Sequence, residues 1–273
     1  PMYGVALAWK DYRHTMGILG SPWVGWSNFE IVFKNAGMLP AIRNTIVISL
    51  LKLVFCFPAP IILAFLLNEV TLKEFKRGAQ TIVYLPNFIS WVIIGGLVKT
   101  MFATDDGLVN NALEAMGIGR INFLRDSRYF YLLLIGSEIW KSTGWGTVIY
   151  IAAIAGIDPT LYEAAKIDGC KRFGLVRHIT FPCILPIIAV MLIMQISNIM
   201  NAGFDSVYNL YNTTVYDVAD IIDTLVYRLG VTDGKYEQST AVGLFKNVIN
   251  FILLITGNYL TKRMCGYSMY SLD

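Results

Sequence analysis

The sequence contains little that could carry out enzymatic chemistry. Its 273 residues include only two histidines, His14 and His178, and four cysteines that form no C-x-x-C pair. A metal site needs several ligands together, and a Ser-His-Asp triad needs a histidine beside its nucleophile. The phosphate-binding pattern G-x-x-x-x-G-K-[ST] and the metalloprotease pattern H-E-x-x-H are absent as well. We therefore predict that the chain is not an enzyme, holds no metal and does not bind ATP itself.

Charge is the second property that the sequence lacks. Asp, Glu, Lys and Arg make up 15% of the residues, against about 25% in ordinary soluble domains. The hydrophobic fraction is 55% and the mean hydropathy is +0.55. This composition predicts that a lipid bilayer surrounds much of the chain. The net charge of +3 is too small to indicate nucleic acid as a partner.

Long apolar stretches are what the chain has in abundance. A helix needs about 20 mostly apolar residues to cross the hydrocarbon layer of a membrane. Five stretches meet that requirement, at about 42–69, 81–102, 129–155, 183–204 and 241–261. Residues 1–9 look like the last turns of a further helix, and because the chain starts at Pro1 we expect an N-terminal piece to be missing. The sequence predicts an all-α, polytopic membrane helical bundle that forms a single domain over residues 1–273.

The basic residues give a modest indication of orientation. The short segments 70–80 and 156–182 are rich in Lys and Arg, which favours the cytoplasmic side of the membrane. The longer segments 13–40, 103–128 and 205–240 alternate with them and would face the opposite side. They also carry basic residues, so the asymmetry is small.

A polar segment, "EAAKIDGCKRFGLVRHITFP" (163–182), separates two of the apolar stretches. Asp158, which is followed by a proline, is a good helix start, and it predicts a helix over 159–168. Gly169 is expected to end that helix, and a second short helix is expected at 170–178. The small residues of the first helix would let another protein approach its backbone closely. From the residues alone, an amphipathic loop at the membrane surface fits equally well.

The same segment resembles the EAA motif of binding-protein-dependent ABC importer permeases. The motif consists of E-A-A, then D-G, then a hydrophobic residue and a proline, and the matching residues are Glu163, Ala164, Ala165, Asp168, Gly169, Ile179 and Pro182. Cys170 stands where alanine is frequent in that family. The motif forms the coupling helix that docks into a groove of the cytoplasmic ATPase subunit. The resemblance therefore implies an ATPase-coupling role for the segment 158–182.

The resemblance extends over nearly the whole chain. The strings "RNTIVISLLKLVFCFPAPIILAFLLNEV", "LPNFISWVI" and "GYSMY" look like the carbohydrate-type permeases that import complex oligosaccharides or uronate-containing sugars. It implies the type I ABC importer permease fold, with six core transmembrane helices of which the first is largely missing here. It further implies a multi-pass protein of the bacterial plasma membrane that imports an oligosaccharide.

Partners and cofactors follow from the same resemblance. It implies a second permease subunit, expected to be a paralogue, two ATPase subunits and an extracytoplasmic sugar-binding protein. ATP and Mg²⁺ would be bound by the ATPases, and no cofactor is expected in this chain. Two alternatives are an ion-coupled secondary transporter, which acts without an ATPase, and a structural membrane subunit without a substrate path. The former would need inverted repeats or broken helices at matched positions, and the sequence shows none.

Polar residues within the apolar stretches are candidates for a substrate path. A charge at bilayer depth costs roughly 2.5–3.5 kcal/mol on insertion scales, so it should face protein or water. Such charges are Lys52, Lys99, Glu138, Lys141, Asp205 and Lys246; for Lys52 we expect a structural pair or a carbonyl partner. Sugars combine apolar faces with hydroxyls, and "GSEIWKSTGWG" (136–146) places indoles beside hydrogen-bonding groups. With the family resemblance, the residues expected to line the path are Asn87, Trp91, Glu138, Trp145, Gln195, Asn198 and Asn201.

Two further patterns each allow two interpretations. In "QISNIMNAGFD" (195–205), four polar residues recur at three- or four-residue steps and would share one helical face. That face would line the path or bond to a neighbouring helix. The small residues of "GWGTVIYIAAIAG" (144–156) suit close helix packing, against a second permease or within the chain.

Overall fold

The structure is a computed structural model that describes the backbone of residues 2–265 and the side chains of residues 3–259. The C-terminal string "GYSMY" lies outside the described residues. Within them the secondary structure is helical, apart from an isolated bridge between Lys10 and Trp23. The prediction of an all-α membrane protein is confirmed.

Fifteen α-helices follow one another in the described part of the chain. They are α1 (Gly17–Gly20), α2 (Ser27–Lys34), α3 (Met38–Leu51), α4 (Pro58–Glu69), α5 (Lys73–Tyr84), α6 (Trp91–Met101), α7 (Leu108–Ala115), α8 (Ser127–Ala155), α9 (Pro159–Ile167), α10 (Arg172–Leu175), α11 (Phe181–Ser197), α12 (Phe204–Leu210), α13 (Tyr216–Ala219), α14 (Ile222–Tyr227) and α15 (Tyr236–Cys265). Three 3-10 helices accompany them, at Met2–Trp9, Leu85–Phe88 and Thr213–Val215. Three π turns lie at Lys52–Cys56, Val176–Thr180 and Arg228–Thr232.

Within the residues that the structure describes, three helical stretches are long and apolar enough to cross a membrane, and up to five if each of two bent helix pairs is one span. The three are Met38–Glu69, Arg172–Ser197 and Tyr236–Tyr259. The bent pairs are Lys73–Phe88 with Trp91–Met101, and Ser127–Ala155 with Pro159–Ile167.

The predicted span 81–102 contains a break, because the chain leaves the helix between Phe88 and Trp91. Pro86 opens the 3-10 turn that follows α5, and Ile89 has an extended backbone. The side chain of Lys141 donates hydrogen bonds to two carbonyls at the break: its Nζ bonds to Asn87 O at 2.8 Å and to Ile89 O at 2.5 Å. Carbonyls that lose their helical donors need such a substitute in a membrane.

The predicted span 183–204 is displaced, since the helix runs from Arg172 to Ser197. The expected polar stripe along this helix is therefore wrong: Asn198 and Asn201 lie in the turn beyond its end. Asn201 donates its side-chain amide to Asn198 Oδ1 at 3.0 Å, and the side chain of Asn250 accepts the Met200 N–H at 3.2 Å. Amide side chains compete with helical hydrogen bonds in this way. The left-handed Gly203, with φ at +93°, completes the exit from the helix.

The contacts divide the chain into two compact units. The first unit comprises Pro1–Leu50, Trp91–Leu134 and Ser197–Leu253, and the second comprises Leu51–Ser90, Ile135–Ile196 and Leu254–Asp273. A buried cluster in the first unit joins α2, α3, α14 and α15 through Val32, Met38, Ala41, Ile222, Leu225 and Val242. A buried cluster in the second unit joins α4, α8 and α11 through Ile61, Ala64, Tyr150, Ile154, Ile184 and Ile188.

Candidate transport path and coupling segment

A cavity of about 220 Å³ lies within the second unit, beside its buried cluster. The π turn at Lys52–Cys56 and helices α4, α8 and α11 form its walls. Its lining residues are Lys52, Cys56, Phe57, Pro60, Glu138, Ser142, Thr143, Gly146, Tyr150, Met191 and Gln195. The lining combines aromatic and aliphatic surface with a few polar groups, which is the composition expected of a ligand site.

An ion pair between Lys52 and Glu138 lies in the lining of this cavity. Lys52 Nζ is 2.6 Å from Glu138 Oε2, and the side chains are 10% and 18% exposed. The hydroxyl of Ser142 donates to the other carboxylate oxygen, Oε1, at 2.9 Å. Both carboxylate oxygens are therefore bound, as a buried charge requires. The expectation that Lys52 has a structural partner agrees with this geometry.

The π turn that carries Lys52 has a local cause. The N–H of Phe57 bonds to the carbonyl of Lys52, five residues earlier, at 3.0 Å. Pro58 and Pro60 follow directly. A proline supplies no amide donor and its ring clashes with the carbonyl four residues earlier, so the helix widens by one residue. Such widened turns are frequent at functional sites.

Thr143 belongs to the same lining, but its hydroxyl oxygen is buried in the wall. Among the side chains of residues 3–259, the buried atoms with no hydrogen bond are Ser49 Oγ and Thr143 Oγ1. Buried polar groups are normally bonded to protein or water. Because the Thr143 oxygen has no exposed surface, it offers no contact to a ligand in the cavity.

The seven expected path residues are divided between the two units. In the second unit, Glu138 and Gln195 line the cavity together. Asn87 lies in the 3-10 turn where its carbonyl accepts from Lys141, and Trp145 is 54% exposed with its ring 6.0 Å from that of Phe88. In the first unit, Trp91 begins α6, and Asn198 and Asn201 bond to each other beyond α11. Their role in lining a path stays a prediction.

Several lining residues have no sequence pattern that marks them as path residues, including Cys56, Pro60 and Met191. Tyr150 could have been predicted as a lining residue, because Glu138, Ser142, Gly146 and Tyr150 follow at four-residue steps along α8 and so share one face. The lining residues of the π turn at Lys52–Cys56 could not be predicted in that way, because the extra residue in the turn changes which side chains share a face.

The coupling segment begins with a helix, α9, that is capped at both ends. The carboxylate of Asp158 accepts the Thr160 N–H at 2.9 Å. This bond holds the pKa of Asp158 below its ordinary value, because it favours the charged form. At the other end Gly169 has φ +78°, and the N–H groups of Gly169 and Cys170 bond to the carbonyls of Lys166 and Ala165 at 3.0 and 2.9 Å. This is the Schellman pattern, which satisfies the terminal carbonyls.

The short helix predicted at 170–178 is helical from Arg172, but it is continuous with the following membrane helix. α10 begins at Arg172 and continues through the π turn at Val176–Thr180 into α11, so the segment is the first part of the membrane helix itself. A hydrogen bond of 3.0 Å joins the hydroxyls of Tyr162 and Thr180, and Thr180 is 1% exposed. α9 is therefore tied directly to the helix that contributes Gln195 to the cavity.

The surface of the coupling segment combines apolar and charged side chains. Ile167 is 86% exposed, Phe173 is 76% exposed and Leu161 is 47% exposed. Exposed charged side chains lie near them along the segment: Glu163, Lys166, Asp168, Lys171, Arg172 and Arg177. Exposed apolar side chains accompanied by charged ones are typical of a surface that contacts another protein.

The small residues of α8 pack within the chain at two positions. A side chain on Gly144 would overlap the backbone of Val83, and one on Gly146 would lie 3.1 Å from Pro60. Of the two interpretations of "GWGTVIYIAAIAG", packing within the chain is thus observed at these glycines.

Comparison with known proteins gives a consistent result. The family described as "Binding-protein-dependent transport system inner membrane component" matches residues 56–265. The chain is 43% identical, over 99% of its length and 84% of the relative's, to the polygalacturonan/rhamnogalacturonan transport system permease protein YteP of Bacillus subtilis strain 168.

Solved structures show the same similarity. A chain of a bacterial ABC transporter involved in the import of the acidic polysaccharide alginate matches with a TM-score of 0.90 and 40% identity, over 97% of this chain and 89% of that one. A chain of a bacterial alginate ABC transporter in complex with alginate pentasaccharide-bound periplasmic protein matches with a TM-score of 0.90 and 39% identity. The match covers 98% of the present chain and 90% of that one.

Proposed function

The chain belongs to the family of binding-protein-dependent transport system inner membrane components, and from this premise we propose that it carries oligosaccharides, including acidic ones, across the bacterial plasma membrane. It is a permease subunit coupled to a separate ATPase, and the ion-coupled alternative has no support. The substrate class is suggested by the relatives, which serve polygalacturonan, rhamnogalacturonan and alginate.

The observation that carries the proposal is the geometry of the coupling segment. α9 is held by caps at both ends and by the Tyr162–Thr180 hydrogen bond. It presents exposed apolar side chains, of which Ile167 is 86% exposed. A rigid helix with an uncovered apolar surface is suited to dock into a groove of another subunit. The residues proposed for this coupling are Glu163, Ala164, Ala165, Asp168, Gly169 and Pro182.

The partners are proposed on the same basis. An extracytoplasmic protein that binds the saccharide would deliver it to the side of the membrane opposite the coupling segment. A second permease subunit, a paralogue of this chain, and two ATPase subunits would complete the transporter. ATP and Mg²⁺ would bind to the ATPases, and the present chain would supply the passage and the docking helix.

The contacts suggest how force would reach the passage. ATP-driven closure of the ATPases would displace α9, and the Tyr162–Thr180 bond would transmit that displacement to the start of the long helix. The same helix supplies Gln195 to the cavity, together with Glu138 from α8. The partner thereby shifts the balance between two conformations of the passage.

The assembled transporter in proteoliposomes tests the proposed function. We expect uptake of a labelled oligogalacturonide to require both ATP in the compartment of the ATPases and the binding protein on the opposite side. An imposed proton or sodium gradient should not replace ATP. Uptake by the purified chain alone under an ion gradient would contradict the proposal.

Replacement of the two linked amides tests the path. We expect the Asn198→Leu/Asn201→Leu variant to raise the KM for uptake roughly tenfold or more, because hydrogen bonds of about 1 kcal/mol each to saccharide hydroxyls are lost. Asn111→Leu, at an exposed amide of α7, is the control and should leave the KM unchanged. If the double variant inserts normally and its KM equals that of the wild type, these amides do not line the path.

A further inference from the structure

We propose that Lys52 is the carboxylate-recognising residue of the cavity, and that Glu138 is its exchangeable partner. An acidic saccharide would replace Glu138 at the ammonium group, so the pair favours acidic over neutral saccharides. This inference rests on the proposed function and names the substrate chemistry that the cavity selects.

The position of the Lys52–Glu138 ion pair indicates a role in transport. A buried ion pair adds little to stability, since well-packed apolar residues in its place are often neutral or stabilising. Ionisable residues within membrane spans usually mark pathways instead. Lys52 and Glu138 come from different parts of the chain, 86 residues apart, and meet in the lining of a cavity. A passage for a charged substrate explains this position better than stability does.

Lys52 differs in its contacts from Lys141, a lysine on the cavity helix α8. Lys141 bonds to the carbonyls of Asn87 and Ile89, at the break between α5 and α6. Both carbonyls lie where the helix is broken, so withdrawing Lys141 would remove a hydrogen-bond donor from each of them. Lys52 instead contacts a carboxylate, and a substrate carboxylate is a chemically equivalent replacement.

Glu138 retains a hydrogen bond when Lys52 turns to a substrate. Ser142 donates to its Oε1 at 2.9 Å and does not depend on Lys52. The saccharide itself brings hydroxyl donors, which can bond to the Glu138 Oε2 that Lys52 leaves. The lysine ammonium sits on a flexible four-carbon stem with rotatable donors, so it can change its direction without movement of the helix.

Glu138 also favours release of the substrate. Transport requires a site that binds strongly enough to admit the substrate and weakly enough to let it leave. A lone ammonium in a cavity of low polarity would hold an anion tightly. Glu138, fixed 2.6 Å from the ammonium, competes with the substrate carboxylate and limits its affinity. A neutral saccharide offers no charge to exchange for Glu138 and would gain less from the site.

The test uses a matched pair of ligands: trigalacturonate and its fully methyl-esterified form, which differ in carboxylate charge. Equilibrium binding of each radiolabelled ligand is measured on the assembled transporter in nanodiscs without the binding protein, so that the permease alone discriminates. We expect the wild type to bind the acid roughly tenfold tighter than the ester, as for one charge-assisted contact. Lys52→Met should reduce that ratio to about one, and Glu138→Gln should raise the affinity for the acid and slow its turnover.

Lys99→Met, at an exposed lysine of α6, is the matched control and should keep the wild-type ratio. The double variant Lys52→Met/Glu138→Gln removes both charges, so it carries the test if Lys52→Met leaves Glu138 unpaired and fails to insert. Its ratio should also be about one. A wild-type ratio in either variant that inserts would overturn the role of Lys52 while leaving saccharide transport established. Absence of any saccharide binding and uptake in the wild type would overturn the proposed function together with this inference.

Discussion

A Gly169→Trp variant should insert into the membrane but lose both its ATPase subunits and its saccharide uptake. Gly169 has φ +78° at the end of α9, where a side chain is strained by roughly 1–2 kcal/mol. A Cβ at this position meets nothing within 4 Å, so the indole would project outward from the coupling segment. Because that surface is proposed to enter a groove of the ATPase, a bulky ring would prevent docking. Co-purification of the ATPase and ATP-dependent uptake are the measurements.

A matched control separates docking from backbone strain. Gly117 ends α7 in the same Schellman pattern: it has φ +76°, and Gly117 and Ile118 donate to the carbonyls of Glu114 and Leu113 at 2.9 and 3.0 Å. It too has open space around its Cβ position. Gly117→Trp therefore imposes the same strain far along the chain from the coupling segment and should retain the ATPase. If Gly169→Trp keeps both ATPase and uptake, the docking role of this segment is wrong.

The Gly144→Ala variant should fold poorly, although it adds a single methyl group. A Cβ on Gly144 would overlap the carbonyl of Val83 and lie 3.0 Å from the backbone nitrogen of Tyr84. The obstacle is backbone, which cannot move aside as a flexible side chain would. Overpacking of this kind costs about 1–3 kcal/mol or more, and a membrane helix pair that depends on close approach has little other means of association. We expect a lower yield of folded protein and a lower Tm in detergent.

Gly136→Ala is the control for that result, because Gly136 lies on the same helix and has nothing within 4 Å of its Cβ position. Alanine there gains up to about 1 kcal/mol of helix propensity without a clash. We expect its Tm to equal or exceed that of the wild type. Equal Tm values for Gly144→Ala and Gly136→Ala would show that α8 does not approach Val83 as closely as described.

Several features of the fold were predictable because their causes are local. The helix α9 needed only Asp158 and the following proline at its start and a glycine at its end, and both caps are present. The apolar stretches predicted membrane helices because length and hydrophobicity suffice for that inference. The charges at bilayer depth predicted protein partners, and Lys52, Lys141 and Lys246 each have one.

The errors in the sequence analysis share a different physical origin. The span at 81–102 is interrupted because Lys141, more than 50 residues away, satisfies the carbonyls at the break. The helix Arg172–Ser197 ends where it does because Asn250 accepts the N–H of Met200, 50 residues earlier, in the turn beyond the helix. A hydropathy profile cannot predict either helix end, because each depends on a polar side chain that bonds to backbone groups distant in the sequence.

The sequence by itself determined that the chain lies in a lipid bilayer and that it is helical. It also determined the capped coupling segment and the family. Each of these depends on composition or on residues close together along the chain. The tertiary structure alone decided which charges pair, where the membrane helices break and which side chains enclose the cavity. The physical reason is the range of the interactions: caps, turns and apolar length act within a few residues. The Lys52–Glu138 pair and the cavity exist only after distant helices have packed.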